Sequence, residues 1–116
     1  MADRNGKDGL WRRSALEVVA LLRREEVTPL DLLEVLERRI AAVNPAVNAV
    51  VTTCFERARE HAEALMQRPP SERGPLAGLP VAIKDSVPVA GVRTTSGSLV
   101  YKDWVPEHSD YLVERL

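Results

Sequence analysis

Apolar residues recur at intervals of three and four in the first half of the chain, and this spacing predicts amphipathic helices. The first helix opens at Ser14, because a capping serine stands three residues before Glu17, and it is expected to end near Glu26. The second opens at Thr28, with Pro29 at the first helical position, where a missing N–H costs nothing. The residues at helical spacing are Leu16, Val19, Ala20 and Arg23 in the first helix, and Leu33, Leu36, Ile40 and Val43 in the second.

A proline ends the second helix in this interpretation, since Pro45 disfavours helical geometry in Asn44 and cannot donate the next hydrogen bond. A short strand is predicted over residues 49–52. A third helix follows, opened by a second capping box formed by Thr53 and Glu56. Its predicted apolar stripe consists of Phe55, Ala58, Ala62 and Leu65.

The second half of the chain differs from the first in residue composition. Residues 68–75, R-P-P-S-E-R-G-P, are predicted to form a surface linker, and the apolar run at 79–83 reads as a buried strand. Loops rich in Gly, Pro, Thr and Ser come next. Ser109 is the expected cap of a last helix, which turns Leu112, Val113 and Leu116 inward and breaks off after about two turns. This break predicts that the chain is cut from a longer sequence.

Composition narrows the class of protein. The 116 residues are 45% hydrophobic and 28% charged, as in an ordinary globular domain, and a net charge of -1 provides no field that would attract nucleic acid or an anionic membrane. Residues 1–13 are polar and are predicted to form a flexible tail without the apolar core of a signal peptide. Cys54 is the only cysteine, so an internal disulfide is excluded and a cytoplasmic location is expected.

The chemistry is concentrated in residues 74–98, where Lys84 stands at the end of the predicted buried strand. An apolar neighbourhood destabilises an ammonium ion and makes the neutral amine available as a base. Asp85 opposes this, because a nearby carboxylate stabilises the charged form, although adjacent residues of a strand point to opposite faces. The alternative is an ordinary lysine that extends to water from the end of a strand.

The same segment has, in order, a Gly-rich approach at 74–78, a short run ending in Lys-Asp at 81–85, Val-Ala-Gly at 89–91 and Thr-Thr-Ser-Gly-Ser at 94–98. This order of motifs resembles the first block of the amidase signature family. The helical N-terminal part, the V-N-A-V-V run and the V-P-E-H-S-D run are similar to that family as well. Ser86 departs from it, since many members have asparagine there, but that position is not a catalytic one.

The resemblance implies an α/β fold, the N-terminal part of the amidase signature fold, in which helices cover both faces of a mixed sheet. It also implies hydrolysis of a small-molecule carboxamide by a serine-cis-serine-lysine system without metal or cofactor. Lys84 matches the lysine of that system. Residues 14–116 would then be the N-terminal portion of an amidase domain, truncated before the Gly/Ser-rich segment that holds both serines. The expected partners are the remainder of that domain and, in a possible homo-oligomer, further copies.

Several alternatives stay open or are set aside. Ser96 and Ser98 lack the longer glycine-flanked pattern of the two serines and are interpreted as turn formers. His61 and His108 are too far apart in sequence to suggest a metal site. Within the family, the alternative is a glutamine-hydrolysing transamidase subunit, which uses the same catalytic groups. The Val-Ala-Gly motif favours a stand-alone amidase. A non-catalytic interaction module is the alternative from another class.

Overall fold

The computed structural model describes residues 6–116 as helices joined by turns and loops. The α-helices of this part of the chain are α1 (Ala15–Arg23), α2 (Pro29–Val47), α3 (Phe55–Met66) and α4 (Tyr111–Arg115). Short 3₁₀ turns occur at Leu10–Arg12, Pro70–Glu72 and Leu99–Tyr101.

Helix α1 begins where the sequence predicts. The Ser14 hydroxyl accepts from the Glu17 N–H at 3.3 Å, and the Glu17 carboxylate accepts from the Ser14 N–H at 2.8 Å. The helix ends at Arg23, short of the predicted end near Glu26. Its buried side chains are Val18 and Leu22, whereas Leu16 is 84% exposed. Of the apolar residues at helical spacing, Val19 and Ala20 are half-buried, and Val19 packs against the core. The pattern therefore located the helix, but the covered face is only partly the expected one.

Helix α2 also begins as predicted, since Thr28 and Asp31 form a reciprocal capping box. The predicted end at Asn44 is wrong, because the helix runs through Pro45 to Val47. A proline this close to the end removes only its own N–H from the ladder, and the next residues still bond back, as Asn48 N does to Asn44 O at 2.7 Å. The buried side chains are Pro29, Leu32, Leu33 and Val35, while Leu36, Ile40 and Val43 are half-buried.

The chain divides into two units. The first contains the described residues up to Ala49 together with Phe55–Pro80. Its core is formed by the buried residues Leu10, Val18, Leu22, Val27, Leu32, Val35 and Ala77. Leu10 lies within the predicted flexible tail, so the described part of that tail takes part in packing. Residues 1–5 of the tail prediction lie outside the described residues.

The third helix and the predicted linker belong to this unit. Of the predicted stripe of α3, Ala62 is buried, and Phe55, Ala58 and Leu65 are half-buried. The linker contains the 3₁₀ turn Pro70–Glu72. The side chain of Arg73 is only 7% exposed, donates to Arg68 O at 2.8 Å and approaches the Glu25 carboxylate at 3.5 Å. This segment is thus part of the first unit, fixed by polar contacts that composition alone does not reveal.

Neither predicted strand is present. Residues 49–52 and 79–83 are irregular, and within residues 6–116 the β pairing is an isolated antiparallel bridge between Val89 and Val92. A strand exists only when a neighbour satisfies its N–H and C=O groups, and no segment of the described chain lies alongside either run as a strand. The expected mixed sheet is accordingly not observed in this part of the chain.

The second unit consists of Val50–Cys54 and Val81–Leu116. Hydrogen bonds between loops hold it together, among them Gly91 N to Pro106 O at 2.9 Å and Thr94 N to Trp104 O at 3.0 Å. Large apolar side chains of this unit are exposed, notably Leu99 and Val100. No helix of residues 6–116 is both long and apolar enough to cross a membrane.

The cap of α4 differs from the prediction by one residue. Asp110 accepts from the Leu112 N–H at 2.8 Å, while the Ser109 hydroxyl accepts from the Ala90 N–H at 2.9 Å. Ser109 therefore links two loops, and the adjacent carboxylate caps the helix. Of the three residues expected to face inward, Val113 is half-buried, but Leu112 and Leu116 are both more than half exposed.

Candidate active site

Lys84 lies at the start of a tight turn in the second unit. The turn is closed by a hydrogen bond from Val87 N to Lys84 O at 2.9 Å. The side chain of Lys84 is exposed and, within the described residues, makes no hydrogen bond or ion pair. The prediction that it ends a buried strand is wrong for this structure. Its amine is instead accessible.

Asp85 is bound to a different segment. Its Oδ1 accepts from the Thr95 N–H at 2.9 Å, and its Oδ2 accepts from the Thr95 hydroxyl. Its main-chain oxygen accepts from Ser96 N at 2.9 Å. The Thr95 hydroxyl and N–H hold the pKa of the Asp85 carboxyl below its ordinary value, because both donate to the charged form. The carboxylate that sequence reasoning set against Lys84 is therefore engaged by Thr95.

The five residues T-T-S-G-S at positions 94–98, here called the 94–98 loop, form the other side of this contact. Thr94 anchors the loop, being only 3% exposed and donating from its hydroxyl to Val92 O at 3.2 Å. Ser96 and Gly97 both adopt positive φ, 51° and 66°. The turn closes with Ser98 N donating to Thr95 O at 2.9 Å. Ser96 and Ser98 thus both belong to a turn, as the composition of the run indicates.

Arg93 supports the loop from its N-terminal side. Its guanidinium donates to Lys102 O at 3.2 Å, to Val51 O at 3.0 Å and to the Thr52 hydroxyl at 3.2 Å. It thereby ties two remote stretches of the second unit to the residue before the loop. Sequence reasoning missed this residue, because a lone arginine contains no signal for partners about forty positions away.

A shallow cavity lies beside the loop. Its volume is about 170 Å³. The cavity combines two cationic side chains with hydroxyl groups and one apolar side chain, and its lining residues are Arg93, Thr95, Gly97, Ser98, Leu99 and Lys102. Ser98 is also the cap of the following 3₁₀ turn, because its hydroxyl oxygen accepts from Val100 N at 3.2 Å.

The remaining sequence candidates lie apart from this site. His61 is an exposed residue of α3 in the first unit, and Cys54 and His108 are exposed in the second. Among residues 6–116, no group of three or more His, Cys, Asp or Glu side chains is arranged to hold a metal ion.

Comparison with known proteins places this arrangement in a family. The amidase family matches residues 31–116, which include most of α2, all of α3, the Lys84 turn and the 94–98 loop. The chain therefore belongs to the amidase family, in agreement with the resemblance noted in its sequence.

The curated proteins that it resembles include A subunits of glutamyl-tRNA(Gln) amidotransferase from several bacteria. The protein of that name from Moorella thermoacetica is 39% identical over 109 residues, which are 92% of this chain and 22% of the relative. The Persephonella marina protein is 34% identical over the same shares of both chains. The one from Roseiflexus sp. is 41% identical over 96 residues, 82% of this chain and 20% of the relative. The chain thus spans about a fifth of the length of these relatives, and no solved structure matches it.

Proposed function

We propose that this chain contributes the lysine base of a serine-cis-serine-lysine amide hydrolase, as the N-terminal portion of an amidase domain. The observation that supports this best is the state of Lys84. Its amine makes no hydrogen bond or ion pair within the described residues, and the neighbouring carboxylate of Asp85 is bound by Thr95. A base needs an amine without a permanent ion pair, because such a pair favours the ammonium form.

The proposed reaction uses groups from two parts of the amidase. The neutral amine of Lys84 accepts a proton from one serine, which in turn accepts the proton of a second, nucleophilic serine. The nucleophile attacks the amide carbonyl, and the leaving nitrogen departs with a proton as ammonia or an amine. Water then attacks the acyl-serine and releases the carboxylic acid. Both serines and the oxyanion donors come from outside residues 14–116 in this proposal.

Ser96 and Ser98 are not the two serines of this mechanism. The hydroxyl oxygen of Ser98 already accepts a hydrogen bond in the cap of a 3₁₀ turn, and Ser96 is placed by the positive φ of its turn. The short Ser-Gly-Ser run that they form lacks the longer glycine-flanked pattern of the two serines.

A second function is favoured by one specific finding, the name that the relatives share. In such an amidotransferase, the same lysine would promote hydrolysis of glutamine to glutamate and ammonia. The ammonia would then displace a leaving group from an activated carboxyl group of glutamyl-tRNA(Gln), instead of being released into solvent. The names of these relatives favour this role, in a complex with other proteins. The Val-Ala-Gly motif at 89–91 instead favours a stand-alone amidase.

A serine-directed covalent probe such as a fluorophosphonate tests whether the nucleophilic serine lies outside this chain. We expect the full-length protein to be labelled stoichiometrically at a serine outside residues 1–116. The isolated 116-residue chain should stay unlabelled, because a base without a nucleophile and oxyanion donors does not activate a serine. Mass spectrometry of the labelled peptide identifies the site. Stoichiometric labelling of Ser96 or Ser98 would exclude the proposed role of this chain.

Substrate preference separates the two functions. Ammonia release from glutamine is compared with release from simple carboxamides such as propionamide, using the full-length protein with its co-purifying partners. A stand-alone amidase should hydrolyse the simple amides with the higher kcat/KM. A transamidase subunit should favour glutamine by at least about 100-fold, because a site that pairs the amino-acid charges rejects substrates lacking them. Release from neither substrate class contradicts both functions.

A further inference from the structure

We infer that Asp85 and Thr95 together position Lys84 for its role as base. This inference rests on the proposed function. Asp85 and Thr95 do not touch the reacting atoms in this assignment; they hold the backbone from which the lysine side chain extends.

The contact is dense for so short a stretch of chain. Asp85 receives three hydrogen bonds from two consecutive residues of the 94–98 loop, two through its carboxylate and one through its main-chain oxygen. The Thr95 hydroxyl oxygen also accepts from Gly97 N at 3.3 Å, so the loop closes around the same group. These bonds fix the residue that directly follows Lys84.

The loop itself is anchored to the rest of the second unit, so it provides a firm support. Thr94 is buried and bonded at both its N–H and its hydroxyl. Arg93 connects the start of the loop to Val51 and Lys102. On the other side, the bond from Val87 N fixes the carbonyl of Lys84 itself. The Cα–Cβ direction of Lys84 is therefore determined by contacts on both sides of the peptide that follows it.

The position of a catalytic group strongly affects the reaction rate. A displacement of the order of 1 Å in a catalytic group can lower turnover about 100-fold, because proton transfer requires near-contact geometry. The contact between Asp85 and Thr95, here called the clamp, has a second consequence. A carboxylate bonded to Thr95 does not form an ion pair with the adjacent Lys84 amine. In the described residues no such pair is formed.

The decisive variants are Asp85→Asn and Thr95→Val in the full-length protein, assayed with the substrate that the wild type turns over. Asparagine keeps the shape of Asp85 but replaces one acceptor oxygen by a donor, and valine keeps the shape of Thr95 but removes its hydroxyl. We expect each to lower kcat by about 10- to 100-fold while KM changes less than about twofold. The double variant should be no slower than the slower single one, because both remove the same contact.

Two further variants make the result specific. Thr95→Ser retains the hydroxyl and should keep at least about half of the wild-type kcat, whereas Ser86→Ala, at an exposed position of the same turn, should leave kcat unchanged. Should Asp85→Asn fail to fold, the Thr95→Val and Thr95→Ser pair decides alone. If Thr95→Ser is as slow as Thr95→Val, or if Thr95→Val keeps the wild-type kcat, the clamp has no positioning role.

Failure of this inference is distinguishable from failure of the proposed function. An inactive Lys84→Ala beside fully active Asp85→Asn and Thr95→Val would overturn the clamp and leave the lysine mechanism intact. An active Lys84→Ala would overturn the mechanism itself, and with it the clamp, whatever the other variants do.

Discussion

Lys84→Arg in the full-length protein is expected to lower the rate of amide hydrolysis at least about 1000-fold, close to the effect of Lys84→Ala. General acid–base catalysis contributes roughly 10²- to 10⁴-fold to such reactions. Arginine preserves the positive charge and most of the reach, but its guanidinium stays protonated in proteins and cannot accept a proton from serine. Charge without basicity should therefore not rescue activity. The measurement is kcat and kcat/KM at neutral pH, with the thermal midpoint as a check on folding.

The exposure of Lys84 makes this variant informative. Because the side chain has no partner within the described residues, its replacement breaks no hydrogen bond or ion pair of this part of the chain. Lys7→Arg is the matched control. Lys7 pairs with Asp31 at 2.7 Å in the first unit, and arginine can keep that pair, so this variant should retain wild-type turnover. More than about a tenth of the wild-type rate in Lys84→Arg would show that Lys84 is not the base.

The local features of the fold were predictable because their causes lie within a few residues. The capping boxes at Ser14 and Thr28 each join positions three apart, and both are confirmed. Features that depend on distant residues were not. The runs at 49–52 and 79–83 have the apolar character of strands, but a strand also requires a partner, and no short window of sequence contains that information.

The sequence also did not determine which of two adjacent residues caps a helix, or which face of a helix is buried. Ser109 and Asp110 are both good capping residues, and the choice between them depends on the Ala90 N–H, which occupies the serine hydroxyl from a loop nineteen positions earlier. Leu16 and Leu22 are both apolar positions of α1, yet only Leu22 is buried. A helical period fixes the spacing of a stripe, and the neighbours decide which stripe is covered.

The candidate site likewise has features that the sequence predicted and features that it did not. Resemblance to the amidase signature family identified Lys84, Asp85 and the 94–98 loop as parts of one block, and the family match supports that grouping. What the sequence did not contain is the bond between Asp85 and Thr95, ten positions apart, which assigns the carboxylate to the loop rather than to the lysine. Arg93 was missed for the same reason, since its acceptors Val51 and Thr52 are 42 and 41 positions away.

Gly78 is the position at which the smallest possible change should cost the first unit the most stability. It adopts φ +101°, and a Cβ built there would lie 2.5 Å from Pro29 Cγ and 3.2 Å from Leu65 Cδ2. Pro29 is fully buried and rigid as the first residue of α2, so it cannot move aside as the end of a flexible side chain could. The absence of a side chain at Gly78 is therefore what allows the start of α2, the end of α3 and the residues after the 68–75 linker to pack together.

Gly78→Ala should accordingly destabilise the full-length protein by about 2–5 kcal/mol, as overpacking of about 1–3 kcal/mol adds to strain of about 1–2 kcal/mol from the positive φ. Gly74→Ala is the matched control, because Gly74 also has a positive φ, +74°, but nothing lies within 4 Å of its built Cβ. This control carries the backbone strain alone and should cost about 1–2 kcal/mol. Urea unfolding of the two variants isolates the steric part as their difference. Equal midpoints for Gly78→Ala and Gly74→Ala would mean that Pro29 does not press against Gly78, and the packing assigned here to the start of α2 would be incorrect.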